Sequence, residues 1–197
     1  MSNLSSIGSI ASMNTSKDYD NCPLKRSIQA TLFPEKADVI LGLSSPKVTP
    51  AYIEVLPKHK ELYLVNYRPE DEAINANSLV GMFDILCSKN IIPDFIDCDF
   101  CDSIKSSGLD LMYIYYKCLA LKKDITLSYT FAVRGITLEE TMRWLESFPV
   151  SLGIKTPYDY NFKHRQFAYQ YGECIHYRES GEQMISGIIN ISKNSHK

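Results

Sequence analysis

Cys98 and Cys101 are separated by two residues, a spacing that allows two thiolates to bind one zinc ion. A structural zinc site needs four ligands, and Cys174 with His176 is the only second pair that this sequence offers, with His164 as a reserve. One half of a zinc motif is a weak signal, because free cysteines also pack as small apolar side chains. We therefore predict no bound metal and no other cofactor. The alternative hypothesis is a zinc site formed by Cys98, Cys101, Cys174 and His176, with His164 as the reserve ligand.

A cysteine could instead act as a nucleophile, because a thiol whose pKa is lowered is a good attacking group. Cys101 is well placed if a helix begins near Asp102, since a helix N-terminus stabilises a thiolate. Cys87 comes at the C-terminal end of a predicted helix, where the helix dipole opposes the thiolate. The possible bases and orienting carboxylates are His164, His176, Asp159 and Glu173. A secreted bacterial effector with protease-like or deamidase-like activity is the alternative hypothesis.

A run of aromatic and basic residues lies between positions 158 and 171. Tyr and Arg are enriched in the cores of protein interfaces, and aromatic side chains also stack on single-stranded nucleic acid. The acidic balance of the chain favours a protein interface or a core over nucleic acid. The predicted interaction site consists of Tyr158, Tyr160, Phe162, Arg165, Phe167, Tyr169 and Tyr171.

Composition limits the classes of function. The net charge is −2 and the pI about 6.1, whereas a dedicated nucleic-acid-binding protein needs a surplus of Lys and Arg. The N-terminal segment lacks the regions of a secretory signal, no segment is apolar enough to span a membrane, and no nucleotide-binding or hydrolase motif occurs. We expect a cytoplasmic protein with reduced thiols and protein partners, and we predict neither a nucleic acid nor a small-molecule substrate.

The clearest secondary-structure signal lies between Ile125 and Arg134, where apolar and polar side chains alternate. This pattern predicts a strand of a largely antiparallel sheet, with one buried face and one face that is solvated or covered by a partner. Thr137 and Glu140 form a capping box, which predicts a helix that ends at Pro149.

Other segments are marked less clearly. Residues 52–56 and 62–67 flank a polar turn and predict a hairpin. Residues 173–177 and 184–191, joined by a turn, predict two further strands. Core-facing helical spacing is shown by Leu79, Met82, Phe83 and Leu86. Residues 109–121 stay open between strand and helix, and the helical face would contain Leu109, Met112, Tyr113, Tyr116 and Leu119.

These elements predict an α+β fold, with a largely antiparallel sheet and two or three helices packed on one face. Residues 1–50 are expected to form a mostly disordered or irregular N-terminal arm, with one short element near residues 37–43. Residues 51–197 are expected to form a single α+β domain.

The order of elements from Glu61 to Glu146 resembles that of rhabdovirus matrix proteins. An irregular arm is followed by a strand, a helix, a second apolar element and a long strand. The resemblance implies a non-enzymatic viral protein of the virion or host cytoplasm, which self-associates, binds viral or host proteins and contacts membranes only peripherally. The N-terminal segment lacks the lysine cluster that such proteins use against anionic lipid, a departure that a matrix-related accessory protein would tolerate. We therefore expect a non-catalytic protein that acts through a sheet surface and the aromatic segment.

Overall fold

The computed structural model describes residues 23–44, 53–66, 78–100, 102–151, 175–179 and 182–192. In chain order the elements are α1 (Pro23–Leu32), β1 (Val39–Ser44), β2 (Glu61–Asn66), α2 (Leu79–Ser88), β3 (Phe95–Asp99), α3 (Ile104–Ala120), β4 (Ile125–Ala132), α4 (Leu138–Ser151), β5 (Ile175–Glu179) and β6 (Glu182–Ile191). The strands form one sheet in the order β2-β1-β3-β4-β6-β5. The predicted combination of helices with a sheet is confirmed.

The sheet is mostly parallel, so the prediction of a largely antiparallel sheet was wrong. Strands β2, β1, β3 and β4 run parallel to one another, and β6 and β5 follow as antiparallel neighbours. Parallel neighbours cannot be joined by a tight turn and need a crossover connection. Helices α2 and α3 supply two such connections, from β2 to β3 and from β3 to β4.

The hairpin predicted from residues 52 to 67 does not form. Residues 53–55 are helical, and β2 pairs in parallel with β1, which corresponds to the short element predicted near residues 37–43. Helix α1 has no counterpart among the predicted elements. Strand β2 buries side chains on both faces, since Leu62 and Tyr63 pack against different core clusters. Adjacent apolar residues of this kind are typical of a parallel strand.

Helices cover both faces of the sheet, whereas the sequence predicted helices on one face only. On one face, α2, α3 and α4 pack against Ile96 of β3 and Leu127 of β4. On the other face, Ile28 of α1 belongs to a cluster with Phe95 of β3 and Ala132 of β4. The sheet is therefore the middle layer of three, and its central strand β3 is buried on both sides.

Strand β4 is confirmed, and its predicted apolar face is buried at Leu127, Tyr129 and Phe131. The prediction that its other face is solvated or covered by a partner was wrong, because Ser128 and Thr130 are buried on the α1 side. Ser128 Oγ donates to Asp97 Oδ1 at 2.6 Å, and Thr130 Oγ1 lies 2.9 Å from Ser186 Oγ. The hydroxyls of Ser128 and Thr130 are thus satisfied by neighbouring strands inside the protein and not by water.

Local helix signals are reproduced closely. Helix α2 buries the predicted residues, and its N-cap Ser78 accepts a hydrogen bond from Gly81 N at 2.9 Å. Both hydrogen bonds of the capping box form: Glu140 N donates to Thr137 Oγ1 at 3.1 Å, and Thr137 N donates to Glu140 Oε2 at 2.7 Å. Helix α4 ends at Ser151 and not at Pro149. The C-terminal hairpin is confirmed, with β5 and β6 antiparallel.

Candidate functional site

Helix α3 contains the segment that the sequence left open between helix and strand. Its N-cap is Ser103, and it has two apolar sides. The side that faces the sheet is fully buried at Leu111, Ile114, Tyr115 and Cys118. The sequence signal for this buried side was the i, i+3, i+4, i+7 spacing of these four residues, which the prediction of a single helical face overlooked.

The other side of α3 is turned to solvent. Leu109 is 65% exposed, Tyr116 61% and Tyr113 38%. Their i, i+4, i+7 spacing places them in one line along the helix, and we name these three residues the α3 stripe. Three neighbouring exposed apolar side chains on a helix whose opposite side fills the core make this side of α3 a candidate binding surface.

Contacts with α2 hold the α3 stripe in place. Tyr113 Oη donates to Asp84 Oδ2 at 2.8 Å, and Lys117 Nζ donates to Asp84 Oδ1 at 2.7 Å. The Lys117 ammonium also lies 4.9 Å from the centre of the Tyr113 ring, within range of a cation–π contact. The hydrogen bond to Asp84 raises the pKa of Lys117, so this lysine is charged at neutral pH. Tyr113 is therefore oriented before any partner binds, which lowers the entropy cost of binding.

A second candidate region lies at the carboxyl ends of the parallel strands. The strand order reverses between β1 and β3, and in open α/β sheets ligands bind outside the carboxyl ends at this point. Asp97 and Asp99 of β3 are buried here. Asp97 accepts the Ser128 hydrogen bond, and Gln29 Nε2 of α1 donates to Asp99 Oδ2 at 3.4 Å. These contacts link α1 to β3 and β4 and give both carboxylates polar neighbours.

Cys101 lies outside the described residues, but the chain on both sides of it is described. Strand β3 ends at Asp99, and α3 begins at Ile104. A helix therefore begins near Asp102, with Ser103 as its N-cap, and the reactivity of Cys101 stays a prediction. Asp102 Oδ1 accepts a hydrogen bond from Ser103 N at 2.7 Å, while its buried Oδ2 has no hydrogen-bond partner among the described residues.

The environments of Cys98 and Cys87 disfavour a thiolate. Cys98 is fully buried in the core, and this burial, with a contribution from the charge of Asp97, raises the pKa of its thiol well above the ordinary value. Cys87 lies in the last turn of α2, as predicted, where burial raises its pKa despite the opposing effect of Lys117. Both thiols are protonated at neutral pH, which suits core packing better than zinc binding or nucleophilic attack.

The remaining sequence candidates are not described by the structure. Residues outside the described ranges include His164, Cys174, Asp159, Glu173 and the whole predicted interaction site from Tyr158 to Tyr171. His176 lies in β5, in register with Ile185 of β6. The zinc site, the cysteine enzyme and the aromatic interaction site therefore stay predictions.

Two absences hold for the described part of the chain. Within it, no group of three or more His, Cys, Asp or Glu residues is arranged to hold a metal ion. The described helices also include none with the length and apolar character needed to cross a membrane.

Comparison with known proteins gives no relative: the chain matches no family model, and a search of curated proteins finds no significant match. The functional conclusions therefore rest on the geometry of the described residues.

Proposed function

We propose that this chain is a non-catalytic structural protein that acts by binding other proteins through the α3 stripe. The observation that supports this proposal best is the exposure of Leu109 and Tyr116, each by more than half, on a helix whose opposite side fills the core. Helices cover both faces of the sheet at β3 and β4, so these faces are not available for this role. A viral matrix-like or accessory role, in which viral or host proteins are bound, is part of the proposal and is supported by the order of elements alone.

The α3 stripe offers enough apolar surface to matter for affinity. Fully burying one Leu or aromatic side chain is worth about 1.5–3 kcal/mol relative to leaving it exposed. Scaled by the exposed fractions of Leu109, Tyr113 and Tyr116, complete burial of the α3 stripe would contribute roughly 2.5–5 kcal/mol. That amount is comparable to the difference of about 4 kcal/mol between millimolar and micromolar binding.

The experiment that tests this function compares partner capture by three versions of the full chain. The wild type, the double variant Leu109→Lys/Tyr116→Lys, and the control Ala30→Lys are immobilised and exposed to an extract of the cells that express the protein. Ala30 is an exposed residue of α1, on the other side of the sheet, so its substitution changes the charge without touching the α3 stripe.

We expect the wild type and Ala30→Lys to retain the same partner in stoichiometric amount, and the double variant to retain about tenfold less. Urea unfolding curves of the three proteins should coincide, which excludes misfolding as the cause. Equal retention by the double variant, or no stoichiometric partner on the wild type, would refute the proposed function.

The second candidate function is a cysteine-dependent enzyme, and one observation favours it. Strand β3 ends at Asp99 and α3 begins at Ile104, so Cys101 is close in sequence to a helix N-terminus, where a helix dipole can lower a thiol pKa. His164 or His176 would act as the base. Alkylation by iodoacetamide at about pH 6, read by mass spectrometry, tests this candidate. An enzyme requires Cys101 to react about tenfold faster in the folded chain than in urea, and an equal or slower rate excludes it.

A further inference from the structure

We propose that the carboxyl edge of the sheet, between α2 and α3, binds a small ligand that presents hydrogen-bond donors and carries no phosphate. The donors would be the hydroxyls of a ribose or an ammonium group. This site is separate from the α3 stripe, so the inference goes beyond the proposed function and does not depend on it. It is supported by the course of the chain at this edge and by three buried polar atoms of α3 and the residues before it.

The chain leaves the neighbouring strands β1 and β3 towards opposite faces of the sheet. After β1 it packs on the α1 side, where Val55 and Leu56 contact the cluster that contains Ile28. After β3 it enters α3, which packs on the other side through Leu111 and Tyr115. Two adjacent parallel strands whose connections diverge in this way open a crevice at their carboxyl ends, where open α/β sheets bind ligands.

One side of the first two turns of α3 is polar although much of it is buried. Ser103, Ser106, Ser107 and Asp110 follow i, i+3, i+4, i+7 spacing and therefore share this side of the helix. Ser103 is 7% exposed and Ser107 0%, and the other two are partly buried. Core-facing helical spacing is normally filled by apolar residues, so this polar side needs another explanation.

The polar side faces the gap between α2 and α3. Further along the same side, Lys117 contacts Asp84 of α2. Both helices lead from the carboxyl edge of the sheet back to its amino edge, so they run in the same direction. Because Asp84 lies in the second turn of α2, that helix begins about level with Asp110, and the first turns of α3 extend beyond it. Helix α2 packs on β1 and α3 on β4, which places the polar side at the carboxyl end of the intervening β3.

Three polar atoms of this region are buried and have no hydrogen-bond partner among the described residues: Ser107 Oγ, Asp110 Oδ2 and Asp102 Oδ2. Burial raises the pKa of the Asp110 carboxyl, the direction expected where no cation or donor replaces the lost water. Buried polar groups in native proteins are nearly always hydrogen-bonded, because an unsatisfied one destabilises the fold. Three such atoms close together in the chain, at the ligand-binding edge of the sheet, indicate a ligand that supplies their partners.

The chemistry of these atoms defines the ligand class. The carboxylate oxygens of Asp102 and Asp110 only accept hydrogen bonds, whereas the Ser107 hydroxyl can donate or accept. A phosphate group would be repelled, because its oxygens are also acceptors and carry negative charge. Ribose hydroxyls and ammonium groups both supply donors without negative charge. A nucleoside and an amine are therefore the two possible sources of the same chemistry.

The test measures the Tm of the full-length protein with probes at about 1 mM. The probes are the four ribonucleosides, their 5′-triphosphates, and the amines putrescine and spermidine, and each probe that raises Tm is titrated by isothermal calorimetry. The variants are Asp110→Asn, which keeps the shape of the side chain and removes its charge, and Ser107→Ala. The matched control is Asp38→Asn, because Asp38 is 50% exposed and lies at the opposite, amino edge of the sheet.

We expect a nucleoside or an amine to bind, and the triphosphates to bind at least about tenfold more weakly than that probe. Asp110→Asn and Ser107→Ala should each weaken binding about tenfold, and Asp38→Asn should leave it unchanged. The Tm of ligand-free Ser107→Ala should be no lower than that of the wild type, because the hydroxyl has no partner to lose. Binding by nucleosides would identify the donor as ribose, and binding by amines would identify it as ammonium.

Failure of every nucleoside and amine to bind would overturn the inference and assign the three buried atoms to ordered water. Triphosphates that bind as tightly as the nucleosides, or unchanged affinity in both Asp110→Asn and Ser107→Ala, would overturn it as well. These measurements do not involve the α3 stripe, so failure of this inference can be distinguished from failure of the proposed function.

Discussion

Asp94 joins three parts of the fold at the amino ends of the parallel strands. It directly precedes β3, and its Oδ2 accepts hydrogen bonds from the backbone amides of Asp38 and of Val39, the latter at 3.0 Å. Its other carboxylate oxygen forms an ion pair with Lys123, just before β4. We predict that Asp94→Ala destabilises the protein strongly, because it removes a contact that positions β1 beside β3.

The magnitude follows from these contacts. A hydrogen bond to a charged group contributes about 1.5–3 kcal/mol, and a partly exposed ion pair contributes up to about 1 kcal/mol. The Asp94 side chain is 23% exposed, so water replaces part of what is lost. We therefore expect a decrease of about 3 kcal/mol in the free energy of unfolding, which corresponds to a fall of roughly 6–12 °C in Tm.

The pKa of Asp94 gives this prediction a pH dependence. Burial alone would raise the pKa of this carboxyl, but the Lys123 ammonium and the two backbone amides together hold it below the ordinary value of 3.8. Because the pKa is lower in the folded state, the stabilisation is present above the unfolded-state pKa of about 3.9 and is lost as pH falls through the folded-state pKa. The difference between wild type and Asp94→Asn should therefore be full at pH 7 and shrink below about pH 4.

Urea unfolding, followed by circular dichroism, measures these differences, and Asp38→Ala is the matched control. The Asp38 carboxylate is 50% exposed and, among the described residues, pairs with Lys60, which is 71% exposed, so its loss should cost less than about 1 kcal/mol. An Asp94→Ala variant no less stable than Asp38→Ala would refute the placement of β1 beside β3.

Three further predictions concern the core and the assembly. Gly187→Ala should cost about 2 kcal/mol or more, because a Cβ at Gly187 would overlap the buried hydroxyl of Tyr129; unchanged thermal unfolding would contradict this packing. Cys98 and Cys118 should resist iodoacetamide at pH 8 until the chain unfolds, because burial raises the pKa of both thiols, and mass spectrometry of the native protein would show modification if this were wrong. Self-association, which the proposed matrix-like role requires, should appear in sedimentation velocity, whereas a strict monomer at high concentration would argue against that role.

Local interactions could be predicted from the sequence, because both partners lie within one turn of helix. The capping box of Thr137 and Glu140 forms as expected, and so does the core-facing side of α2. Sheet direction depends on distant residues. The polar positions Ser128 and Thr130 suggested an exposed face, but their partners Asp97 and Ser186 lie 31 and 56 residues away. Alternation alone cannot distinguish water from such buried partners.

The orientation of α3 likewise depends on contacts with residues that are distant in the sequence. The helical interpretation of residues 109–121 places Leu109, Tyr113 and Tyr116 on one face with Met112 and Leu119, but the sequence shows neither that the segment is a helix nor which way this face is turned. Leu111 and Tyr115 offer a second apolar side, and only the packing of α3 on β4 decides which side is buried. Cys98 is fully buried, but the other cysteines of the predicted zinc site, Cys101 and Cys174, lie outside the described residues, so that site stays a prediction.

The orientation of α3 can be measured directly by alanine substitution on its two sides. Leu111 and Tyr115 are fully buried, so Leu111→Ala and Tyr115→Ala should each lower the free energy of unfolding by about 2–5 kcal/mol. Leu109→Ala and Tyr116→Ala should each change it by less than about 1 kcal/mol, because these side chains are mostly in water. Chemical unfolding of the four variants would contradict the proposed binding surface if the costs were reversed or equal on the two sides.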